Sequence, residues 1–204
     1  MSSTGATGTG GVSYGYGLVD GWGPPYPETT GYCIPTFLRY AKLTGEREFI
    51  DRPRAMAEWE LSVQAPDGGF AGGPLGRDGA GPSVAFDTGQ VLQGWCAIYR
   101  ETGEERFLSA AERAGTWLVK QLSPEGVWSD VVPGGRESRP RAYNARTSWA
   151  LLELHAITQQ ERFREEARRN LEWTLGCQLP SGWFRENAFV WRRAGKCGRS
   201  RRGL

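Results

Sequence analysis

Thr44-Gly45-Glu46-Arg47-Glu48-Phe49, Thr102-Gly103-Glu104-Glu105-Arg106-Phe107 and Thr158-Gln159-Gln160-Glu161-Arg162-Phe163 are three versions of one phrase. A tryptophan follows each phenylalanine at the same distance: Trp59, Trp117 and Trp173. Further on, Phe70, Trp128 and Phe184 close segments that begin with Gln and carry Pro and Gly. These are Gln64-Ala-Pro-Asp-Gly-Gly-Phe70, Gln121-Leu-Ser-Pro-Glu-Gly-Val-Trp128 and Gln178-Leu-Pro-Ser-Gly-Trp-Phe184. All three landmarks recur after 58 and then 56 residues. Self-similarity at such a fixed period is the mark of a repeat architecture, in which each unit is one supersecondary element stacked on its neighbours.

Each unit reads as a helical hairpin. Val91, Leu92, Trp95, Ile98 and Tyr99 form an apolar stripe at helical spacing. Asp87-Thr88-Gly89-Gln90 opens it like a capping box, and Thr102-Gly103 closes it with the residue best suited to a left-handed helix end. A second helix carries Phe107, Leu108, Ala111, Ala114 and Leu118 until Ser123-Pro124-Glu125-Gly126 stops it. The first helix of each pair has few charges, whereas the second is laced with Arg and Glu. A helix apolar all round is buried and a one-sided helix lies on the surface, so the pattern is inner helix, outer helix, three times over. The fold class is all-α, a partial α/α toroid of three hairpins. Inner helices are predicted near 29–43, 87–101 and 147–157, and outer ones near 47–64, 105–121 and 161–178.

The inner-to-outer turns are short, while the outer-to-inner connections, roughly 65–86 and 122–146, are long and rich in Gly and Pro. In an up-and-down array all long connections reach one end, together with the N-termini of the inner helices. Long loops over a rigid scaffold are where binding and catalysis concentrate.

Two family resemblances rest on these residues. Trp117-Leu-Val-Lys-Gln-Leu-Ser-Pro-Glu-Gly-Val-Trp128 resembles the Gln-and-Trp repeat of squalene–hopene cyclases. The run from Gly89 through Trp95 to Leu108 is similar to hairpins of the six-hairpin glycosidase-like superfamily, which includes unsaturated-uronyl hydrolases and sugar epimerases. Trp22-Gly-Pro-Pro-Tyr-Pro-Glu-Thr-Thr-Gly-Tyr32 and Tyr143-Asn-Ala-Arg-Thr-Ser-Trp-Ala-Leu-Leu-Glu153 look like elements of uncharacterised bacterial toroid proteins found near polysaccharide genes. The resemblance covers about residues 14 to 190 and implies a carbohydrate-active toroid. Closed toroids of these families use five to seven hairpins, so three imply an incomplete barrel that is inactive by itself.

The candidate site follows from placement. Glu28, Asp87, Asn144 and Arg146 fall at inner-helix starts, around one mouth where helix N-termini favour anionic ligands. Glu28 and Asp87 are the candidate acid and base for cleavage or epimerisation of a sugar. Arg146 is placed to clamp a uronate carboxylate with two parallel hydrogen bonds. Trp22, Tyr26, Trp128 and Tyr143 offer flat faces to sugar rings, and Asn144 a polar contact. A structural role stays open for each: Asp87 as a cap, Glu28 as a partner of the helix dipole, Asn144 and Arg146 as braces of the third inner helix, Trp128 as end-of-hairpin packing. Hydrolase, lyase and epimerase chemistry all remain possible, as does a non-catalytic scaffold that binds glycan or protein.

Other chemistries lack their residues. The chain has one histidine, His155, and no Cys-His pair that would hold zinc, so no metal and no cofactor are implied. Neither Asp-x-Asp-Asp nor Asp-Asp-x-x-Asp occurs, which disfavours a terpenoid cyclase. Gly72, Gly73 and Gly76 precede no Gly-Lys-Ser/Thr and make no phosphate loop. A net charge of +2 implies no nucleic-acid partner, and no apolar run implies a membrane span. Four scattered cysteines fit a reducing, cytoplasmic setting. Residues 1–14 read as a disordered Gly/Ser/Thr leader and 15–190 as the repeats, divided at about 28–86, 87–146 and 147–190. Residues 191–204 read as a basic, unstructured tail. Exposed flanks of the terminal inner helices would favour self-association.

Overall fold

The computed structural model describes residues 8–75, 81–129 and 140–187. A two-stranded antiparallel ribbon, β1 (Tyr16–Gly17) and β2 (Gly21–Trp22), precedes six helices. These are α1 (Pro27–Thr44), α2 (Glu48–Val63), α3 (Ala85–Thr102), α4 (Glu105–Gln121), α5 (Ala145–Thr158) and α6 (Glu161–Gly176). A short 3-10 turn, Ala142–Asn144, leads into α5. The inner helices α1, α3 and α5 pack side by side, and each outer helix lies mainly on its own inner partner. The architecture is half of an α/α toroid.

Local chemistry explains the hairpins. Gly45 and Gly103 take φ values of 76° and 68° after α1 and α3, the left-handed geometry that costs glycine nothing. The third unit places Gln159 there at φ 58°, because its phrase lacks the glycine. The middle hairpin holds the heart of the core: Leu92, Trp95, Cys96 and Ile98 of α3 are fully buried, as are Phe107, Ala111 and Leu118 of α4. The α1 and α3 backbones touch. A Cβ on Gly31 would lie 2.5 Å from the Gln90 carbonyl oxygen, so only glycine permits that spacing.

Several expectations need correction. The inner helices begin about two residues earlier than the capping-box pattern places them, and Val84 rather than Asp87 is the residue before α3. Asp87 therefore sits inside the first turn and not at the position before the helix. The N-terminal segment, expected to be disordered to Tyr14, is packed across Gly10–Ser13. Val12 is 6% exposed, its N–H donates to Thr30 Oγ1 (2.9 Å), and its carbonyl accepts from the Tyr26 N–H (2.9 Å). Paired glycines let the backbone lie flat on the Trp59 ring. Trp128, offered as a sugar platform, is 1% exposed, with its indole N–H donating to the Leu118 carbonyl (2.9 Å). It is core. The expected basic tail lies outside the described residues.

Candidate functional site

The parallel inner helices gather their N-termini at one end and their C-termini at the other. At the far end Lys42 pairs with Glu101 at 2.7 Å and Arg100 with Glu153. Gly45 and Gly103 lie there too, opposite Glu28, Asp87 and Arg146.

The mouth is organised by Tyr26, the residue before α1. Its half-buried phenol sits in the negative field of two carboxylates, Asp87 on the first turn of α3 and Glu28 on the first turn of α1. Burial, reinforced by the negative charge of Asp87 and Glu28, pushes the Tyr26 phenol far above its ordinary range, so it stays a neutral donor. Asp87 is 5% exposed and also accepts the Gly73 N–H at 3.2 Å. The long loop after α2 thus returns to fix the carboxylate. Glu28 is only half-buried. Two carboxylates around one phenol, in unequal surroundings, is an arrangement that separates an acid from a base.

Beside this cluster the Arg146 Nε donates to Gln90 Oε1 at 2.7 Å, and its guanidinium lies 5.9 Å from the Tyr32 ring centre. Arg146 itself is exposed, leaving its outer nitrogens toward solvent. Gln90 and Asn144 are each 1% exposed; Gln90 Nε2 and both Asn144 amide atoms have no hydrogen-bond partner. Unmatched buried amides of this kind cost about 1–3 kcal/mol each unless something satisfies them. Tyr143 stacks edge-on against Phe86 (5.0 Å) and bonds to Arg141 Nη1 through its hydroxyl (3.2 Å). Trp22 remains on the ribbon, 40% exposed, with its ring edge-on to Tyr16. Further along the same helices the inner wall forms a groove of about 210 Å³, floored by Gln93 and Ala97 and flanked by Trp149. It lies toward the far end, where the Lys42–Glu101 and Arg100–Glu153 pairs also line it.

The structure therefore brings Tyr26, Glu28 and Asp87 together at the mouth and sets Arg146 on the neighbouring inner helix, with Asn144 in the turn that leads into it. It removes Trp128. Three contributors escaped the sequence: Gly73, read there as loop punctuation, Gln90, read as part of a cap, and the place of Tyr26 between the two carboxylates. No sequence signal distinguishes Gly73 from its neighbouring glycines. Its positive φ of 88° comes from the loop's path, not from its immediate context.

No protein-family model and no curated protein sequence matches the chain. Solved structures do. An unsaturated glucuronyl hydrolase from Bacillus sp. GL1, described as responsible for the degradation of glycosaminoglycan, superposes with a TM-score of 0.71 at 18% identity. That match covers 89% of this chain and 56% of the hydrolase. A polysaccharide lyase gives 0.64 at 12% identity, over 83% of this chain and 53% of the lyase. An inactive variant of an α-1,6-mannanase from Salegentibacter sp. HEL1_6, in complex with α-1,6-mannotetrose, gives 0.58 at 19%, over 71% and 45%. The chain spans about half the length of the structures it resembles. At these identities the likeness establishes the fold alone, an α/α toroid, of which this chain forms an arc.

Proposed function

We propose that this chain is the arc of a carbohydrate-active toroid that carries its acid/base pair, acting on a uronate-containing oligo- or polysaccharide. Glu28 and Asp87 are the acid and base, which protonate a leaving oxygen and activate water or abstract a sugar proton. The observation that carries the proposal is the placing of both carboxylates around the half-buried Tyr26 phenol at the mouth. Arg146 meets the uronate carboxylate, and the unmatched Gln90 and Asn144 amides take sugar oxygens. Tyr143 and Trp22 supply ring faces. Hydrolysis, elimination and epimerisation all use such a pair. The structural neighbours, named for glucuronyl hydrolase, lyase and mannanase activities, favour a glycan over other substrates.

Because the enclosure is half that of these neighbours, the arc by itself is expected to bind sugar without turning it over. The test is titration of the chain with an unsaturated uronyl disaccharide and with α-1,6-mannotriose, followed by tryptophan fluorescence and by reducing-end release. Saturable binding of the uronide, weakened by Arg146→Ala, is the expected result. No binding of either sugar would overturn the proposal. A second reading, a non-catalytic glycan-binding scaffold, is favoured by one observation: the Gly73 amide already occupies one Asp87 oxygen. Uronide binding that is indifferent to Asp87→Asn would select it.

A further inference from the structure

The packed N-terminal segment duplicates an inter-hairpin loop. After α2, Gly68 (φ 99°) lies so close to the Arg113 carbonyl that a Cβ would stand 2.7 Å from it. After α4, Gly126 (φ 79°) meets the Arg169 carbonyl in the same way, at 2.7 Å. Gly10 (φ 92°) meets the Ala55 carbonyl at 2.8 Å, and Ala55 holds on α2 the repeat position that Arg113 and Arg169 hold on α4 and α6. The equivalence continues residue by residue. A Cβ on Gly69 would lie 2.8 Å from the Trp117 ring, and one on Gly11 2.7 Å from the Trp59 ring. The Phe70 N–H donates to Thr88 Oγ1 at 2.9 Å, and the Val12 N–H donates to Thr30 Oγ1 at 2.9 Å. The Phe70 carbonyl accepts from Val84, and the Val12 carbonyl from Tyr26. Gly10-Gly11-Val12 thus fills, on the first hairpin, the seat in which a preceding hairpin's loop would rest.

The other edge shows the converse. Gln178–Phe184 makes the same turn as the earlier loops. Leu179 N–H donates to Trp183 O (2.7 Å) and Gly182 N–H to Leu179 O (2.8 Å), as Ala65 does to Gly69 (3.0 Å) and Gly68 to Ala65 (2.9 Å). Yet a Cβ on Gly182 (φ 87°) would meet nothing within 4 Å, and Trp183 is 76% exposed. Gln64 bonds to Gly68 and, across the hairpin boundary, to Ala110 and Arg113; Gln178 reaches only its local Gly182. The large exposed hydrophobics among the described residues fall between Tyr14 and Leu43 or between Trp149 and Trp183, with none in the middle hairpin. One edge carries a loop without a seat, and the other a seat held by a stand-in. Repeat arrays need their ends capped, and among the described residues only the first hairpin carries such a cap.

We propose that the Gln178–Phe184 loop docks head to tail on the first hairpin of a second copy, in the seat that Gly10–Val12 otherwise holds, so that the N-terminal segment is a removable cap. Two such contacts, related by a two-fold axis, close two three-hairpin arcs into a six-hairpin ring, because a single arc spans half of the solved toroids. A head-to-tail interface that closes gives a discrete ring and not a filament. The repeat register also supplies charge complementarity. Arg54 on α2 pairs with Glu104 (3.1 Å), and the next equivalent pair is Glu112 with Gln160 (2.6 Å). One step further the register sets Arg168 of one copy against Glu46 of the other, both exposed in the single chain.

Sedimentation velocity tests this. The full chain is expected to run as a monomer, and the chain lacking residues 1–13 as a dimer. In the truncated chain Arg168→Glu should return monomers, and Arg168→Glu with Glu46→Arg should restore the dimer. A folded truncated chain that stays monomeric would overturn the proposal and leave the edge to a hairpin of different sequence. A dimer indifferent to the charge swap overturns the interface, and a full chain already dimeric overturns the cap. Should truncation unfold the chain, Val12→Asp in the full chain opens the seat with less disturbance. Loss of the helical circular dichroism signal in both variants would show that the segment is core, which also refutes a removable cap.

Discussion

Tyr26 and Asp87 face each other across the boundary between the first and second hairpins, and the charge of Asp87, with that of Glu28, adds to burial in holding the Tyr26 phenol neutral. Nothing local makes this contact. It exists because α1 and α3 are parallel and close enough for Gly31 to touch the Gln90 carbonyl. The phenol is held neutral far above the range of an exposed tyrosine. Its folded pKa is raised, so its contribution to stability is complete below the unfolded value of about 10 and is lost as pH climbs beyond it. Chemical denaturation of the wild-type chain and of Tyr26→Phe should therefore converge between about pH 10 and 11.5. A stability difference independent of pH in that window would contradict the burial of the phenol beside the two carboxylates.

Asp87 is a more direct handle on the site. Asp87→Asn keeps an oxygen for the Gly73 amide, so the loop should stay in place. Removing one negative charge from the first turn of a helix costs about 0.3–1 kcal/mol. A lost hydrogen bond from a charged group to a sugar hydroxyl costs about 1.5–3 kcal/mol, roughly 10- to 150-fold in affinity. Binding should fall far more than stability. A melting transition that drops as much as affinity does would mark Asp87 as structural.

The hairpins were legible because burial writes itself into sequence at a period of 3.6 residues, and three copies average out local noise. Six helices and their pairing follow from Phe49, Phe107, Phe163 and their spaced tryptophans. The mouth was legible only as an address. Connectivity places Glu28, Asp87 and Arg146 at one end, but no pattern tells that Tyr26 stands beside two of them or that Gly73 braces one. Trp128 misled because an aromatic after a Gly-rich turn looks the same whether it faces a ligand or the Leu118 carbonyl. The packed N-terminus was missed for a related reason. Its copy of the loop keeps the glycines and loses the Gln and Pro that identify the others, and the interaction that orders it is made by backbone.

Gly31 sets the spacing on which the mouth depends. Alanine there would gain up to about 1 kcal/mol of helix propensity, yet its Cβ would stand 2.5 Å from a backbone oxygen that cannot rotate away. Separating α1 from α3 costs about 1–3 kcal/mol on the usual scale of overpacking. Gly31→Ala should thus destabilise despite its propensity and should weaken uronide binding as well. An unchanged or raised melting temperature would show that the inner helices slide apart without penalty.

The third hairpin offers the opposite case. Gln159 occupies the left-handed position that Gly45 and Gly103 fill in the other two units. A non-glycine residue there pays roughly 1–2 kcal/mol of steric strain. Gln159→Gly removes it, at a smaller loss through the added freedom of the unfolded chain. Urea denaturation should show a net gain of up to about 1 kcal/mol with an unchanged slope. A loss would mean that the Gln159 amide's bond to the Ala156 carbonyl (3.1 Å) matters more than the strain.

Glu60 is the most exceptional side chain away from the mouth. It is fully buried on α2, and neither carboxylate oxygen has a hydrogen-bond partner. Burial alone drives its pKa well above the ordinary carboxylate range, so it is held as the neutral acid. The folded pKa exceeds the unfolded one. Stability is therefore greatest below the unfolded value of about 4.3 and declines as pH rises past it, because only the unfolded chain then releases the proton. Glu60→Met retains the volume and removes both the unpaired oxygens and the proton. It should raise stability at pH 7 by about 1–3 kcal/mol, the penalty of an unsatisfied buried polar group. The gain should be larger at pH 7 than at pH 4.5, and denaturation curves at the two values measure it. A gain equal at both, or a loss at pH 7, would mean that Glu60 is ionised and paired in the folded protein.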